Sequence, residues 1–409
     1  MFPKAVHSTA QNNSIVGRFV LGPNIAFLND HLWKSQRKIA NPAFHRSMPV
    51  QLFGELTLQL FDVMEQTGSR VNVSDLIQRW TLDAIGKAGF GFDFKALAQK
   101  DNVWVRKYKT IVEASQQLWY AIFPVFDDRT SIWFWPGRRA VHQDMDEFLS
   151  MIDCVIQHKR DQIKRGEFQN AHLQENEKDL LTLMIESEHR GEGAMTDEEL
   201  RSNMCVFFLA GHDTTSNTVA YAAYHLAMHP EIQQKAREEA LTILGNEPVD
   251  ILPTVDHTKQ FVYINQVIKE TLRINSPAPR INEREAVEDF LLSGTWIPKG
   301  TSVLVDLFSV HHSKKNWKDP EVFDPDRFDE DNENNGPRPG MAWVPFSSGA
   351  RQCIGMNFSL YEQRVLLAML LRKYIWTLPE DSIHKHGVIS SGINIVGPVH
   401  LELEFQKRY

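Results

Sequence analysis

Between Thr196 and Pro230 the chain carries no proline. The stretch opens on Thr196-Asp197-Glu198-Glu199, in which a threonine cap and a glutamate three residues on form the reciprocal pair that starts helices. Proline breaks helix interiors, so a single helix of about 33 residues, roughly 50 Å long, fills the gap. A rod of that length runs through the middle of a large helical domain. The 409 residues are enough to build one around it.

The segments before Pro277 read mostly as helix. Leu76, Ile77, Trp80 and Ile85 recur at helical spacing after a start at Ser74-Asp75. Tyr263 to Arg273 reads as a further helix, stopped near Pro277. Gln162 to Lys178 is polar and reads as an exposed loop. After Pro277 the texture changes: prolines and glycines punctuate short β-rich runs such as Thr301 to Leu307. In the tail Val399, Leu401, Leu403 and Phe405 alternate with polar residues, which predicts a half-buried strand. DEDNENNG at 329–336 reads as a polar loop.

Composition excludes some roles. Asp plus Glu is 52 against 44 Lys plus Arg, a net charge of −8, which disfavours nucleic acid as a partner. Three cysteines without a CxxC offer neither a disulfide framework nor a cysteine-based zinc site, and a reducing compartment fits them. The longest apolar run, around Met204 to Ala210, is too short to span a bilayer. The first fifteen residues lack the apolar stretch of a signal peptide.

The sequence FSSGARQCIGMNF at 346–358 surrounds one of these cysteines with small and flexible residues. Cys353 precedes a helix read as Ile354 to Tyr374. Backbone N–H groups and the positive dipole end at a helix start stabilise an anionic sulfur. Gly349 suits a tight loop, and Gly355 admits a large flat ligand. Arg351 is placed to pair with an anion, and Phe346 to shield the sulfur. A lone cysteine in a turn also has a plainer reading, as small core packing. The spacing Phe346-x-x-Gly349-x-Arg351-x-Cys353-x-Gly355, however, resembles the cysteine-ligand signature of the cytochromes P-450, the haem-thiolate monooxygenases.

Other stretches resemble that family's motifs in its order. Trp33 and Arg37, four apart on one helical face, resemble the Trp-x-x-x-Arg that meets a haem propionate. Arg284 falls near a second propionate-binding arginine. Ala210-Gly211-His212-Asp213-Thr214-Thr215 resembles the oxygen-activation motif, with Asp213 and Thr214 in the acid and alcohol positions; read alone it is equally a polar stripe on a helix. A local bulge there would leave room for dioxygen and water. His212 stands at a variable position and is given no role. Glu270 and Arg273 match Glu-x-x-Arg, and Phe323-x-Pro325-x-Arg327-Phe328 adds Arg327, a buried set that fastens the cysteine loop. As bare residues, Glu270 and Arg273 are an ordinary helical ion pair.

The resemblance implies a mainly α fold with a minor β region, the long helix lying over the haem, in a single domain spanning 1–409. It implies haem b held by the Cys353 thiolate, the only protein ligand to its iron. The implied activity is insertion of one oxygen atom of O₂ into a lipophilic organic substrate. Electrons would come from NADPH through a separate flavoprotein reductase, since the chain shows no nucleotide-binding glycine loop. Two alternatives stay open: a haem-thiolate dehydratase or isomerase acting on peroxides, and a truncated, inactive haem-binding remnant.

Residues 118–135 crowd Trp119, Tyr120, Phe123, Phe126, Trp133, Phe134 and Trp135, as core packing or as an apolar surface that touches a membrane. Lys34 and Lys38 are either solvated lysines or part of a reductase-docking face. The implied location is the cytosolic face of the endoplasmic reticulum membrane, or the cytoplasm. Only 32 residues precede Trp33, fewer than in the family. The chain therefore resembles an N-terminally truncated eukaryotic-type member, lacking the anchor and the first helix and strands.

Overall fold

The proline-free stretch folds as one unbroken helix, Asp197–Met228, 32 residues long. The reciprocal cap forms as read: the Glu199 N–H donates to Thr196 Oγ1 at 3.2 Å, and the Thr196 N–H donates to Glu199 Oε2 at 2.9 Å. No bulge interrupts the helix at Gly211. The hydroxyls of Ser216 and Thr218 donate to the carbonyls of Asp213 and Thr214 at 3.1 and 2.8 Å, which adds bonds without opening a gap.

This computed structural model describes residues 13–128, 132–166, 178–329, 340–392 and 394–409. The chain gathers into two units, one comprising Met1–Ser47, Ile85–Ala210 and Asn282–Val305, the other Met48–Ala84, Gly211–Ile281 and Asp306–Tyr409.

The first unit packs helices Asp30–Arg46, Val103–Ser115 and Pro136–Lys164 with the start of the long helix. Pro136 opens its helix at a position whose missing N–H has no helical partner to lose. Met145, Phe148, Ile152 and Ile156 then bury one face at helical spacing. Phe208 centres an aromatic core, with ring centroids 4.8 Å from Tyr108, 5.0 Å from Phe94 and 5.5 Å from Phe148. The segment expected as loop from Gln162 is helical to Lys164, where a basic last turn suits the helix dipole. Residues 167–177 lie outside the described residues. A hairpin pairs Phe290–Leu292 with Thr295–Ile297 across Ser293 and Gly294, with φ of 49° and 85°. Positive φ at both positions is what a tight two-residue hairpin turn requires.

The second unit packs helices Val50–Thr67, Val73–Ala84, Val262–Ile274 and Met356–Lys373 with the rest of the long helix. Helix Val73–Ala84 begins one residue before the expected Ser74, because the Asn72 side chain accepts from the Asp75 N–H at 3.0 Å. Phe53 lies 5.3 Å from Phe358 and 6.2 Å from Trp80. A three-stranded antiparallel sheet sets Glu402–Lys407 between Arg70–Asn72 and Tyr374–Thr377. Leu401 and Leu403 are buried and Glu404 is exposed, the alternation read from the tail. Most of the polar stretch at 329–336 lies outside the described residues. Among the described residues no helix is long and apolar enough to cross a membrane.

Candidate active site

The three cysteines are not equivalent. Cys205 is buried in the long helix, and burial pushes its thiol up to about 12, which holds it neutral. Cys154 is exposed in mid-helix, away from any helix start. Cys353 is exposed and stands between a 3-10 turn, Gly349–Arg351, and helix Met356–Lys373. That helix starts two residues later than expected from Ile354, with Gly355 as its cap.

The loop before Cys353 is a chain of tight turns. Ser347 and Gly349 have φ of 58° and 68°, the left-handed region that favours glycine at the second of them. Gly355 has φ of −84°, so backbone conformation does not itself demand glycine there. The Cys353 N–H donates to Phe346 O at 2.9 Å and the Gln352 N–H to Gly349 O at 3.0 Å. Phe346 and Arg351 are half-buried.

An ion cluster anchors this loop. Glu270 accepts from Arg273 Nε and Nη2 at 2.7 and 2.8 Å, from Arg327 Nε at 3.2 Å, and from the Asp324 N–H at 2.9 Å. Arg327 Nη2 also donates to Asp319 O at 2.8 Å. Arg273 Nη1 donates to the carbonyl of His311 at 2.9 Å. Burial and the neighbouring Arg273 drive His311 down to about 4, so its ring is neutral. His311 Nε2 is then free to accept from the Val344 N–H at 3.1 Å, at the head of the cysteine loop. Trp343 Nε1 donates to Lys269 O at 3.1 Å and ties the same loop to the Glu270 helix. Glu270, Arg273 and Arg327 thus come together and reach the loop through His311.

Asp213 and Thr214 lie on the long helix, both half-buried. Two polar groups beside them carry no role in the sequence analysis. His212 is buried, with Nδ1 2.9 Å from Thr81 Oγ1 and Nε2 3.4 Å from Asp213 Oδ1. Glu362 is fully buried beside Thr215, and burial raises its carboxyl well above the ordinary range. Thr215 Oγ1 and Ser359 Oγ share a hydrogen bond at 2.8 Å, and Gln363 Nε2 donates to Ser359 Oγ at 2.8 Å. These bonds join the long helix to the helix that follows Cys353. The sequence alone does not supply the partner of either group.

The remaining candidates belong to the first unit. Trp33 is buried and Arg37 half-buried on helix Asp30–Arg46, and Lys34 and Lys38 are exposed. Arg284 lies on strand Arg280–Glu285. Its Nη1 is buried with no hydrogen-bond partner among the described residues. A buried guanidinium N–H in that state calls for an anion. In the second unit, Cys353 offers an accessible sulfur of the kind that suits the iron of a porphyrin. The first unit also holds a cavity of about 970 Å³, with Arg18, Asp146, Asp153, Arg201, Ser202 and Cys205 in its wall.

The cytochrome P450 family profile matches residues 6–391. Cytochrome P450 4F5 of Rattus norvegicus is 30 % identical over 381 residues, covering 88 % of this chain and 70 % of that protein. Cytochrome P450 3A11 of Mus musculus is 27 % identical over 367 residues, covering 87 % and 70 %. Among solved structures, the haem domain of cytochrome P450DA superposes with a TM-score of 0.81 at 25 % identity, covering 100 % of this chain and 84 % of that one. The mainly helical fold agrees with that likeness, and the chain belongs to the cytochrome P450 family of haem-thiolate monooxygenases.

Proposed function

We propose that this chain binds haem b through the Cys353 thiolate and hydroxylates a lipophilic substrate. The balance is RH + O₂ + NADPH + H⁺ → ROH + H₂O + NADP⁺, with electrons delivered by a separate flavoprotein reductase. The observation that carries the reading is the contrast between cysteines. Cys353 is accessible beside a helix start on an anchored loop, whereas burial locks Cys205 as a neutral thiol.

Bound haem supplies the activation of oxygen. The protein's share is orientation, dryness and protons. By resemblance to the family, Arg351, Arg284, Arg37 and Trp33 are the residues that would hold the propionates, and Phe346 the one that would shield the sulfur. Gly349 shapes the loop, and Gly355 keeps the start of the next helix free of a side chain. Glu270, Arg273 and Arg327 keep that loop in place. Reducing oxygen consumes protons, and a dry site receives them along positioned groups. Asp213 provides a carboxyl and Thr214 a hydroxyl that donates while accepting from water.

The exposed aromatic segment supports contact with a membrane surface, on the cytosolic face of the endoplasmic reticulum. Trp133 is 70 % exposed and Phe134 81 %. The exposed Lys34 and Lys38 suit an acidic reductase face. Incubating the haem-loaded protein with NADPH and reductase, against a panel of alkanes, sterols and fatty acids, tests the proposal. Hydroxylated product that needs both NADPH and reductase supports it. Rearrangement of organic peroxides without reductase, and no hydroxylation, contradicts it.

A further inference from the structure

His212 has a fixed hydrogen-bonding arrangement that fits a specific task. It is 4 % exposed, on the turn that carries Asp213 and Thr214. Its Nδ1 meets Thr81 Oγ1 at 2.9 Å, and its Nε2 lies 3.4 Å from Asp213 Oδ1. Thr81 is itself fully buried, and its hydroxyl lies 3.1 Å from both the Ile77 and the Gln78 carbonyl.

A hydroxyl has one hydrogen to give, and carbonyl oxygens only accept. The Thr81 hydrogen therefore goes to the carbonyls of its own helix. The Thr81 oxygen is left as an acceptor, and the hydrogen between Thr81 and His212 must sit on Nδ1. Burial lowers the affinity of His212 for a second proton, an effect only partly offset by the Asp213 charge, so the ring is neutral. A neutral imidazole protonated on Nδ1 carries its lone pair on Nε2, and that lone pair faces Asp213. A lone pair against a carboxylate repels. A lone pair against a carboxylic acid receives a hydrogen bond, and a gap of 3.4 Å closes with a small rotation when a site is assembled.

We infer that His212 is a positioning residue for Asp213: Thr81 fixes its Nδ1–H so that Nε2 accepts the carboxyl hydrogen of Asp213, which keeps that acid loaded and oriented beside Thr214. The inference rests on the proposed proton delivery by Asp213 and Thr214. At each of the two proton deliveries that one turnover requires, Asp213 gives its hydrogen towards Thr214 and becomes a carboxylate. The pair then takes one proton from water, and His212 returns to its starting form with no net gain or loss. Any neutral residue at position 212 fills the helix, but only one with an acceptor where Nε2 sits holds the acid in this way.

The test reads the tautomer directly. The haem-loaded protein is labelled with ¹⁵N-histidine and studied as its diamagnetic reduced carbon-monoxide complex, His212 being assigned by the signal lost in His212→Gln. The expected spectrum shows a protonated Nδ1 and an unprotonated, hydrogen-bonded Nε2. Thr81→Val, which removes the acceptor and keeps the volume, should move the proton to Nε2. A wild-type ring protonated on Nε2 overturns the inference.

A second readout needs only O₂, NADPH and reductase. It is the share of consumed O₂ that ends as hydrogen peroxide (one NADPH per O₂) rather than as water (two NADPH per O₂). That share should rise several-fold in Thr81→Val and His212→Phe, with haem content and the carbon-monoxide spectrum unchanged. His212→Gln, whose Oε1 can accept in place of Nε2, should recover much of the difference. If Thr214→Ala leaks peroxide and both Thr81→Val and His212→Phe do not, the role of His212 is overturned and the proposed function stands. If Thr214→Ala does not leak either, proton delivery along Asp213 and Thr214 fails, and the inference resting on it falls too. Should His212→Phe not fold, Thr81→Val and the wild-type tautomer decide the matter.

Discussion

Glu270 grips the edge of the Arg273 guanidinium through two hydrogen bonds, 2.7 and 2.8 Å long, and both side chains are shut off from solvent. Arg327 closes on the same carboxylate at 3.2 Å. Removing one member of a buried ionic set strands the others, at about 3–5 kcal/mol. Glu270→Ala should therefore unfold at much lower urea concentration than the wild type and should lose haem. Stable, haem-loaded Glu270→Ala protein would show that the cluster does not hold the cysteine loop.

Asp127 is a second buried carboxylate, accepting from Arg138 Nη2 at 2.7 Å, His142 Nε2 at 3.1 Å and the Ile15 N–H at 3.0 Å. Burial opposes its charge, but the hydrogen bonds from His142 and Arg138 outweigh it and hold the carboxyl below the usual range. Its folded pKa is thus lower than its unfolded one. The stabilisation is complete above the unfolded value, near about pH 4, and is lost as pH falls through the folded value. Denaturant melts should show stability falling with acidity below that point. Asp127→Asn should start less stable and show a shallower acid slope; an unchanged slope would mean that Asp127 titrates as it does in the unfolded chain.

Thr214 and Thr215 should separate cleanly. Thr214→Ala keeps a good helix former and removes one hydroxyl, so haem content stays normal while product per NADPH falls and peroxide rises. Thr215 shares its hydroxyl bond with Ser359 inside the protein. Thr215→Ala should lower stability by about 1 kcal/mol and leave coupling largely intact. Peroxide leakage confined to Thr215→Ala would move the proton-carrying hydroxyl from Thr214 to Thr215 and contradict this account.

The segment from Leu118 to Trp135 leaves Trp119, Trp133, Phe134 and Trp135 half or more exposed. Apolar surface of this kind marks an interaction site. Wild-type protein should float with liposomes, and the double variant Trp133→Ser/Trp135→Ser should float much less. Equal flotation would remove this segment from the membrane contact.

Local chemistry was legible in the sequence where the interacting groups lie within a turn of one another. The Thr196–Glu199 cap and the shared face of Glu270 and Arg273 are of this kind, and both form as read. Partners distant in sequence were legible only through resemblance, as Arg327 was. His212 was given no role because it stands at a variable position of the motif, and Glu362 drew no attention; each looks like a solvated polar residue on a helix until Thr81 or Thr215 is brought beside it. The cap of helix Val73–Ala84 was misread for the opposite reason: Ser74 and Asn72 are both good caps, and the strand Arg70–Asn72 decides between them. The aromatic run could be core or surface, because composition does not say which side of a segment faces solvent.

The central claim is that Cys353 holds the haem iron. The reduced carbon-monoxide complex reports this directly, since its red-shifted Soret band requires a thiolate ligand. Wild-type protein, Cys154→Ser and Cys205→Ser should all give that band. Cys353→Ser should lose it while the apoprotein keeps its helical circular dichroism. A red-shifted band that survives in Cys353→Ser, or that disappears in Cys154→Ser or Cys205→Ser, would contradict the assignment.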